Sequence, residues 1–187
     1  MKLKRFILAG VLIILMGTTV FAQKIALKNN LLYDATTTFN LGMEFKVGER
    51  TTLELPFNYN PWKFSNNKKW THFLVQPELR FWTCEPFTGH FFGIHAHYAY
   101  YNAGGFGPFT QLKEHRYEGW LAGGGVSYGY TWLLSSRWSL EATLGVGYAF
   151  MDYEKFECYR CGTKLKDDTY HYFGPTKVGI TLIYFLK

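Results

Sequence analysis

The stretch that decides the fold spans residues 120–150, WLAGGGVSYGYTWLLSSRWSLEATLGVGYAF. In each half, every second residue is aromatic or aliphatic, and the residues between are mostly glycine, small or polar. This period of two predicts two long strands, joined by a short turn at residues 133–137. Aromatic residues bracket each apolar face, as is typical of strands that cross a bilayer with a ring near each headgroup layer.

The same alternation recurs along the chain and predicts eight strands and no helix. Their approximate ranges are 24–34, 39–47, 51–60, 70–82, 90–101, 117–132, 138–153 and 170–186. Most connections alternate between short and long. We therefore predict an all-β fold, an eight-stranded antiparallel up-and-down transmembrane β-barrel with short periplasmic turns and longer extracellular loops. Two prolines within strands are expected to mark bulges.

The volume of such a barrel indicates which face points outward. An eight-stranded barrel has an interior just wide enough to be filled by side chains or to hold one small ligand. The large apolar and aromatic residues would crowd that interior, whereas glycines together with charged side chains fit it. We therefore expect the apolar face to meet lipid. A soluble lipid-carrying barrel, with the faces reversed, is the alternative.

The first 22 residues have the pattern of a secretory signal peptide. Three basic residues precede an apolar run at residues 6–16, and Ala22 ends a small-residue cleavage site. We predict a cleaved signal peptide at 1–22 and a single barrel domain at 23–187. A retained anchor helix is the alternative, but the run is short for one, since a spanning helix needs about 20 apolar residues. The expected location is the outer membrane of a Gram-negative bacterium.

The charge balance argues against nucleic acid as a partner. The formal net charge is +6, and three of the basic residues lie in the signal peptide, so the mature chain carries about +3. The expected partners are instead outer-membrane lipid and lipopolysaccharide. The alternating pattern of residues 177–184 resembles the terminal-strand signal of outer-membrane barrels. The barrel-assembly machinery, which recognises that signal, is therefore an expected partner during biogenesis.

Nine charged residues fall on the predicted lumen face. Buried charges need partners and hydrogen bonds, so we expect an ion-pair network that plugs the barrel; a proton- or ion-conducting path is the alternative. The nine residues are Lys28, Asp34, Glu44, Lys46, Glu54, Glu78, Arg80, Glu141 and Lys177.

Two further pairs of residues are candidates for metal chemistry. His95 and His97 share the lumen face with Glu78 and are candidates for metal ligation or acid–base work, although polar filling is the simpler interpretation. Cys158 and Cys161 have zinc-knuckle spacing, yet a disulfide is the simpler prediction for an exported protein. We expect no bound metal and no cofactor.

Three lysines in the predicted loop at residues 61–69 are candidates for contacting lipopolysaccharide. Lys63, Lys68 and Lys69 lie between two tryptophans, where they can meet phosphate groups at the membrane surface. A plain solvated loop is the alternative.

Four phrases of the sequence carry a family resemblance: residues 30–37 (NLLYDATT), 59–62 (YNPW), 137–141 (RWSLE) and 173–177 (FGPTK). Together they resemble a domain-of-unknown-function family of small outer-membrane β-barrels from anaerobic gut and oral bacteria. The resemblance implies an outer-membrane location and an association with surface fimbriae, because such genes often lie near fimbrial ones. It implies no activity, so no catalytic residue follows from it.

These observations favour a non-enzymatic barrel that presents surface loops for envelope structure, adhesion or fimbria-associated assembly. A narrow pore or a hydrophobic-ligand conduit is the second hypothesis. A membrane-embedded enzyme that modifies envelope lipids is the third, and it rests on fold analogy alone.

Overall fold

The computed structural model describes residues 25–63, 69–105, 115–157 and 163–186. One short helix, α1 (Leu31–Ala35), lies between the first two strands. The strands, in chain order, are β1 (Ile25–Asn30), β2 (Phe39–Lys46), β3 (Thr51–Lys63), β4 (Lys69–Val75), β5 (Glu78–Trp82), β6 (Gly89–Gly104), β7 (His115–Leu133), β8 (Trp138–Glu157) and β9 (Lys164–Leu186).

The strands close into an eight-stranded antiparallel β-barrel, which confirms the predicted fold class. Apart from β4 and β5, each strand pairs with its neighbours in the chain, and the pairing of β1 with β9 closes the barrel. β4 and β5 both lie between β3 and β6 and together make one wall strand. Within the described residues, no helix is long and apolar enough to cross a bilayer.

The break between β4 and β5 occurs at a proline, as expected for a residue that lacks a backbone donor. Around the break, Gln76 N donates to Pro56 O at 3.3 Å, and Ala96 N donates to Pro77 O at 3.1 Å. The wall therefore stays continuous across the interruption. Pro56, the other proline within a predicted strand, lies inside β3 opposite Gly42.

The expectation of no helix is wrong at the end of β1. The Asn30 side chain accepts a hydrogen bond from Leu32 N at 3.1 Å and caps the first turn of α1. An asparagine that bonds the backbone in this way starts a helix in place of further strand pairing. The first wall strand is therefore six residues long, and the chain leaves the wall at Asn30.

The two ends of the barrel differ. At the turn end, residues 47–50, 83–88 and 134–137 connect neighbouring strands, and Ile25 and Leu186 lie beside each other. The opposite end, called the loop end here, carries α1. β3, β6 and β8 end there too, and the residues that follow them, 64–68, 106–114 and 158–162, lie outside the described part of the chain.

The burial pattern of the barrel is inverted relative to a soluble protein. Among the described residues, 18 polar or charged residues are buried against seven apolar ones. Large apolar residues lie exposed along the outer face, including Ile94 at 60% and Leu144 at 59%. The apolar face therefore points outward and the polar face inward, as the volume of the lumen predicts.

Candidate functional site

The centre of the lumen is the guanidinium group of Arg80, which is completely buried. Its Nε donates to Glu78 at 2.6 Å. Its Nη1 donates to Glu44 at 3.1 Å and to Glu141 at 2.9 Å. Its Nη2 donates to Glu54 and, at 3.1 Å, to Glu141. Four carboxylates on four strands thus meet one planar cation, an arrangement that a guanidinium suits because its five donors form a rigid fork.

Two lysines complete what we call the Arg80 network. Lys28 Nζ lies 2.9 Å from Glu44, 2.8 Å from Glu141 and 3.2 Å from Glu54. Lys177 Nζ lies 2.9 Å from Glu54 and 2.8 Å from Glu78. Every carboxylate therefore contacts at least two cations. The network joins Lys28, Glu44, Glu54, Glu78, Arg80, Glu141 and Lys177.

Hydroxyl groups satisfy further carboxylate lone pairs in this network. Thr52 donates to Glu44 at 2.5 Å, Thr143 donates to Glu141 at 2.9 Å, and Ser127 donates to Glu78. The sequence interpretation missed the two threonines. A signal for them exists, because each lies two residues from a lumen carboxylate on the same strand and so shares its face.

Glycines make the room that the charged side chains occupy. A Cβ atom added at Gly93 would lie 2.6 Å from Glu78 Oε1, and one added at Gly145 would lie 3.0 Å from Lys177 Cβ. The alternation of glycine with polar residues on β6, β7 and β8 therefore supplies space for charges that project from other strands.

Two of the nine predicted lumen charges lie elsewhere. Asp34 belongs to α1, where it accepts hydrogen bonds from the side chains of Asn29 at 3.3 Å and Asn40 at 2.7 Å. Its prediction is wrong because the chain leaves the wall at Asn30. Lys46 is the last residue of β2 and lies at the turn-end mouth beside Glu49 and Arg50. Among the described residues, no ion pair joins Lys46 to the Arg80 network.

The two lumen histidines lie on the loop side of the network. His95 Nε2 shares a hydrogen bond of 2.9 Å with Thr176 Oγ1, and its Nδ1 lies 3.8 Å from Glu78. The His97 ring lies 5.8 Å from the His95 ring, and its Nδ1 is buried without a hydrogen-bond partner in the described part of the chain. Within the described residues, no group of three or more His, Cys, Asp or Glu side chains is placed to hold a metal ion.

A β-bulge presents Thr176 to the lumen. Gly145 pairs with Lys177 and Val146 pairs with Pro175, so Thr176 is an extra residue in β9. Besides its contact with His95, Thr176 accepts a hydrogen bond through its carbonyl from Gln76 Nε2 at 2.9 Å. Bulges re-aim a side chain in this way. The alternation of residues in this segment does not predict the bulge.

An aromatic cluster closes the turn end. Phe87, in the connection between β5 and β6, has a φ of 70° and is 2% exposed. It packs against Ala26 and Ile183 inside the barrel. The Trp82 and Phe91 rings lie 4.9 Å apart, and the Arg80 guanidinium lies 4.3 Å from the Phe91 ring centre. We call Trp82, Phe87 and Phe91 the stopper. The sequence shows no signal for it, because Phe87 lies in a turn.

The loop half of the lumen is a cavity of about 610 Å³. Apolar side chains make most of its wall, and Thr176, Lys177 and His97 lie on its side toward the network. The lumen therefore has three layers, which are the stopper, the Arg80 network and this cavity. The apolar wall residues include Leu74, Ala99, Ala103, Leu121, Ala149 and Met151.

Two of the remaining predicted site residues lie at the loop-end rim. Lys63 and Lys69 pair across the loop-end limits of β3 and β4. Lys68 lies outside the described residues, as do Cys158 and Cys161, so the structure does not test their predicted disulfide. Cys84 is an exposed free thiol at the turn end.

The projecting parts of β8 and β9 carry paired charges in solvent. Lys164 Nζ donates to Glu154 at 2.6 Å and to Asp167 at 3.0 Å, and these hydrogen bonds raise the pKa of Lys164. Lys166 donates to Asp168 and lowers the pKa of that carboxyl. Exposed pairs of this kind contribute little to stability because water screens them.

Comparison with known protein families gives a match. A family model described as "Protein of unknown function (DUF3575)" matches residues 8–186. No curated protein and no solved structure matches the chain. The matched family covers the whole barrel and its description names no activity, so the inference of function depends on the geometry.

Proposed function

Because the chain belongs to the DUF3575 family, whose description assigns no activity, we propose its function from the barrel itself. The protein is a non-enzymatic integral outer-membrane β-barrel with a closed lumen. Its loop end serves envelope structure, adhesion or the assembly of surface fibres. The observation that carries the proposal is the inverted burial pattern, with charge inside and apolar side chains outside.

The outer face supports insertion in a bilayer. Aliphatic residues in neighbouring strands form a band, with Ile94 paired to Val126 and Val126 paired to Val146. Aromatic pairs flank this band. The Trp138 and Tyr184 rings lie 4.9 Å apart near the turn end, and the Trp120 and Phe150 rings lie 5.7 Å apart toward the loop end. Apolar bands flanked by aromatic girdles are typical of outer-membrane barrels.

The Arg80 network supports a closed lumen. The seven side chains join six of the strands across the barrel axis, and the stopper lies between them and the turn end. Removing one partner of a buried pair costs about 3–5 kcal/mol, so spontaneous opening of the network is rare. The geometry therefore favours a plug over a pore.

The loop end supplies the surface for partners. Lys63 is exposed beside Trp62 at the rim, where it can reach lipopolysaccharide phosphates. The partners that we propose are outer-membrane lipid, lipopolysaccharide, the barrel-assembly machinery during biogenesis, and fimbrial or other surface proteins. The support for fimbrial partners is the resemblance of the four sequence phrases described above.

Fractionation and conductance test the proposal together. We expect the protein in the outer-membrane fraction, with gel mobility that changes on heating, and we expect no unitary currents in planar bilayers. Recovery in the soluble fraction without heat-modifiable mobility would contradict the membrane location. Reproducible unitary currents from the wild-type protein would instead contradict the closed lumen.

A further inference from the structure

We propose that the cavity in the loop half of the lumen binds one hydrocarbon chain of an acylated amphiphile. The chain reaches the cavity through the barrel wall, at the seam between α1 and β9. The inference rests on the proposed function only for its source of acyl chains, which is the bilayer around the barrel.

The chemistry of the cavity fits a hydrocarbon chain. Its volume of about 610 Å³ lies within the range of small-molecule sites, and such sites are lined mainly by apolar side chains with few polar groups. The other layers of the lumen bury charged groups or aromatic rings. In this cavity, Leu74, Leu121 and Met151 line the lumen on the loop side of the charged network. This part of the lumen therefore suits an apolar ligand.

One polar side chain on the cavity wall has an unbonded nitrogen. His97 is 6% exposed, and its Nδ1 is buried with no hydrogen-bond partner among the described residues. A buried polar atom without a partner costs free energy, and a ligand that bonds it recovers that cost. His97 also lines the cavity, so a turn of its ring would bring this nitrogen within reach of a carboxyl or hydroxyl group on the bound hydrocarbon.

The seam is a gap in the strand pairing. β1 pairs with β9 only from Thr181 to Leu186, and no described strand pairs with that edge of β9 from Lys164 to Ile180. The Asn30 side chain bonds the edge instead, donating to Val178 O at 3.2 Å and accepting from Ile180 N at 3.3 Å. These bonds satisfy backbone groups that lipid cannot.

The cavity reaches the outer surface at this seam. Pro175 and Val178 are exposed on the outside of the wall, yet both line the cavity, together with Leu32 and Tyr33 of α1. Leu31 and Leu32 are also exposed, at 41% and 38%. A hydrocarbon chain in the surrounding lipid therefore meets apolar residues at the seam that also line the cavity.

Photolabelling tests the inference. The probe is palmitic acid that carries a diazirine on its chain, and mass spectrometry identifies the labelled residues. In a second arm, phosphatidylcholine vesicles contain the same diazirine chain esterified to the lipid. We expect labels on cavity residues such as Leu121 and Met151 in at least one arm, and the arm that labels identifies a free acid or a membrane lipid as the source.

Two tryptophan substitutions on β6 form a matched pair. Ala99 faces the cavity, so Ala99→Trp fills it and lowers cavity labelling about tenfold. Ala96 faces outward, so Ala96→Trp leaves labelling within about twofold. Ala149→Trp provides a second filled cavity if Ala99→Trp does not fold. Heat-modifiable mobility verifies folding of each variant.

The outcomes separate this inference from the proposed function. Labels confined to outward residues such as Ile94 and Val126, in a barrel inserted in vesicles, would overturn the acyl-chain site and leave the membrane location standing. If the protein does not insert in vesicles, the proposed function fails. Labelling by palmitic acid in detergent micelles then still decides whether the cavity takes the chain.

Discussion

At the scale of single residues, Arg80 determines how the lumen is closed. Its guanidinium donates hydrogen bonds to four carboxylates. The two lysines of the network together contact the same four carboxylates. Three cations face four carboxylates, so the loss of Arg80 raises the excess of buried negative charge from one to two. A point charge on a flexible stem cannot replace the fork of donors.

Arg80→Met is expected to lower the free energy of unfolding by about 3–5 kcal/mol, because it removes the partner of buried charges. Urea unfolding in detergent micelles, followed by tryptophan fluorescence, measures the change. The control is Arg137→Met at the exposed turn after β7, which should change the stability by less than about 0.5 kcal/mol. Equal stability of the Arg80 variant and the wild type would contradict the structural role of the network.

Gly93→Ala tests the space that the network needs. The added Cβ would meet the Glu78 carboxylate and the Ser127 hydroxyl, so we expect a loss of about 1–3 kcal/mol from overpacking. Gly48→Ala is the matched control, because its Cβ would meet Thr51 only at 3.4 Å. If both glycine variants unfold at the same urea concentration, the lumen is less tightly packed than the structure indicates.

At the scale of elements, the strands were predictable and their irregularities were not. The alternation in residues 120–150 places β7 and β8 correctly, because each pairs locally with its neighbour. The helix after Asn30 and the bulge at Thr176 depend on contacts with β9 and with residues such as His95, far away in the sequence. A periodic pattern carries no information about such contacts.

The bulge at Thr176 predicts that β9 tolerates the deletion of this residue. Deleting Thr176 restores a regular ladder, since Pro175 and Lys177 already pair with adjacent residues of β8. We expect a folded barrel that lacks the contacts to His95 and Gln76 and is less stable by about 0.5–3 kcal/mol. Urea unfolding measures this loss.

Deleting Thr181 is the control for that experiment. Thr181 occupies a regular position, so its loss moves the side chains on one side of it to the opposite face of the wall. The gel band of the folded barrel, which shifts on heating, should be absent from the variant that lacks Thr181. It should be present in the variant that lacks Thr176. The reverse result would refute the assigned register of β9.

At the scale of the whole molecule, the inverted burial pattern was readable from the sequence. The volume argument assigned the faces correctly, and seven of the nine predicted lumen charges lie in one network. The stopper and the cavity were not predictable. Phe87 lies in a turn, and its positive φ directs its side chain into the lumen. The cavity is lined by side chains from many strands. Neither leaves a local sequence signal.

Two substitutions distinguish a membrane barrel from a soluble one. Ile94, in the aliphatic band, and Leu134, in a turn, are both 60% exposed. In a bilayer, Ile94→Lys should cost about 2–4 kcal/mol, the cost of lysine near the midplane, whereas Leu134→Lys should cost about 0–1 kcal/mol. Urea unfolding from vesicles measures both changes. A soluble barrel would tolerate both substitutions equally.

The most direct test of the closed membrane barrel places a nitroxide label at position 94 or 134, in a chain whose own cysteines are replaced by serine. In vesicles, spin relaxation compares collisions with oxygen, which concentrates in lipid, and with a nickel chelate, which stays in water. We predict that the label at position 94 collides mainly with oxygen and the label at position 134 mainly with nickel. Equal access of nickel to both positions would contradict a barrel that spans the bilayer.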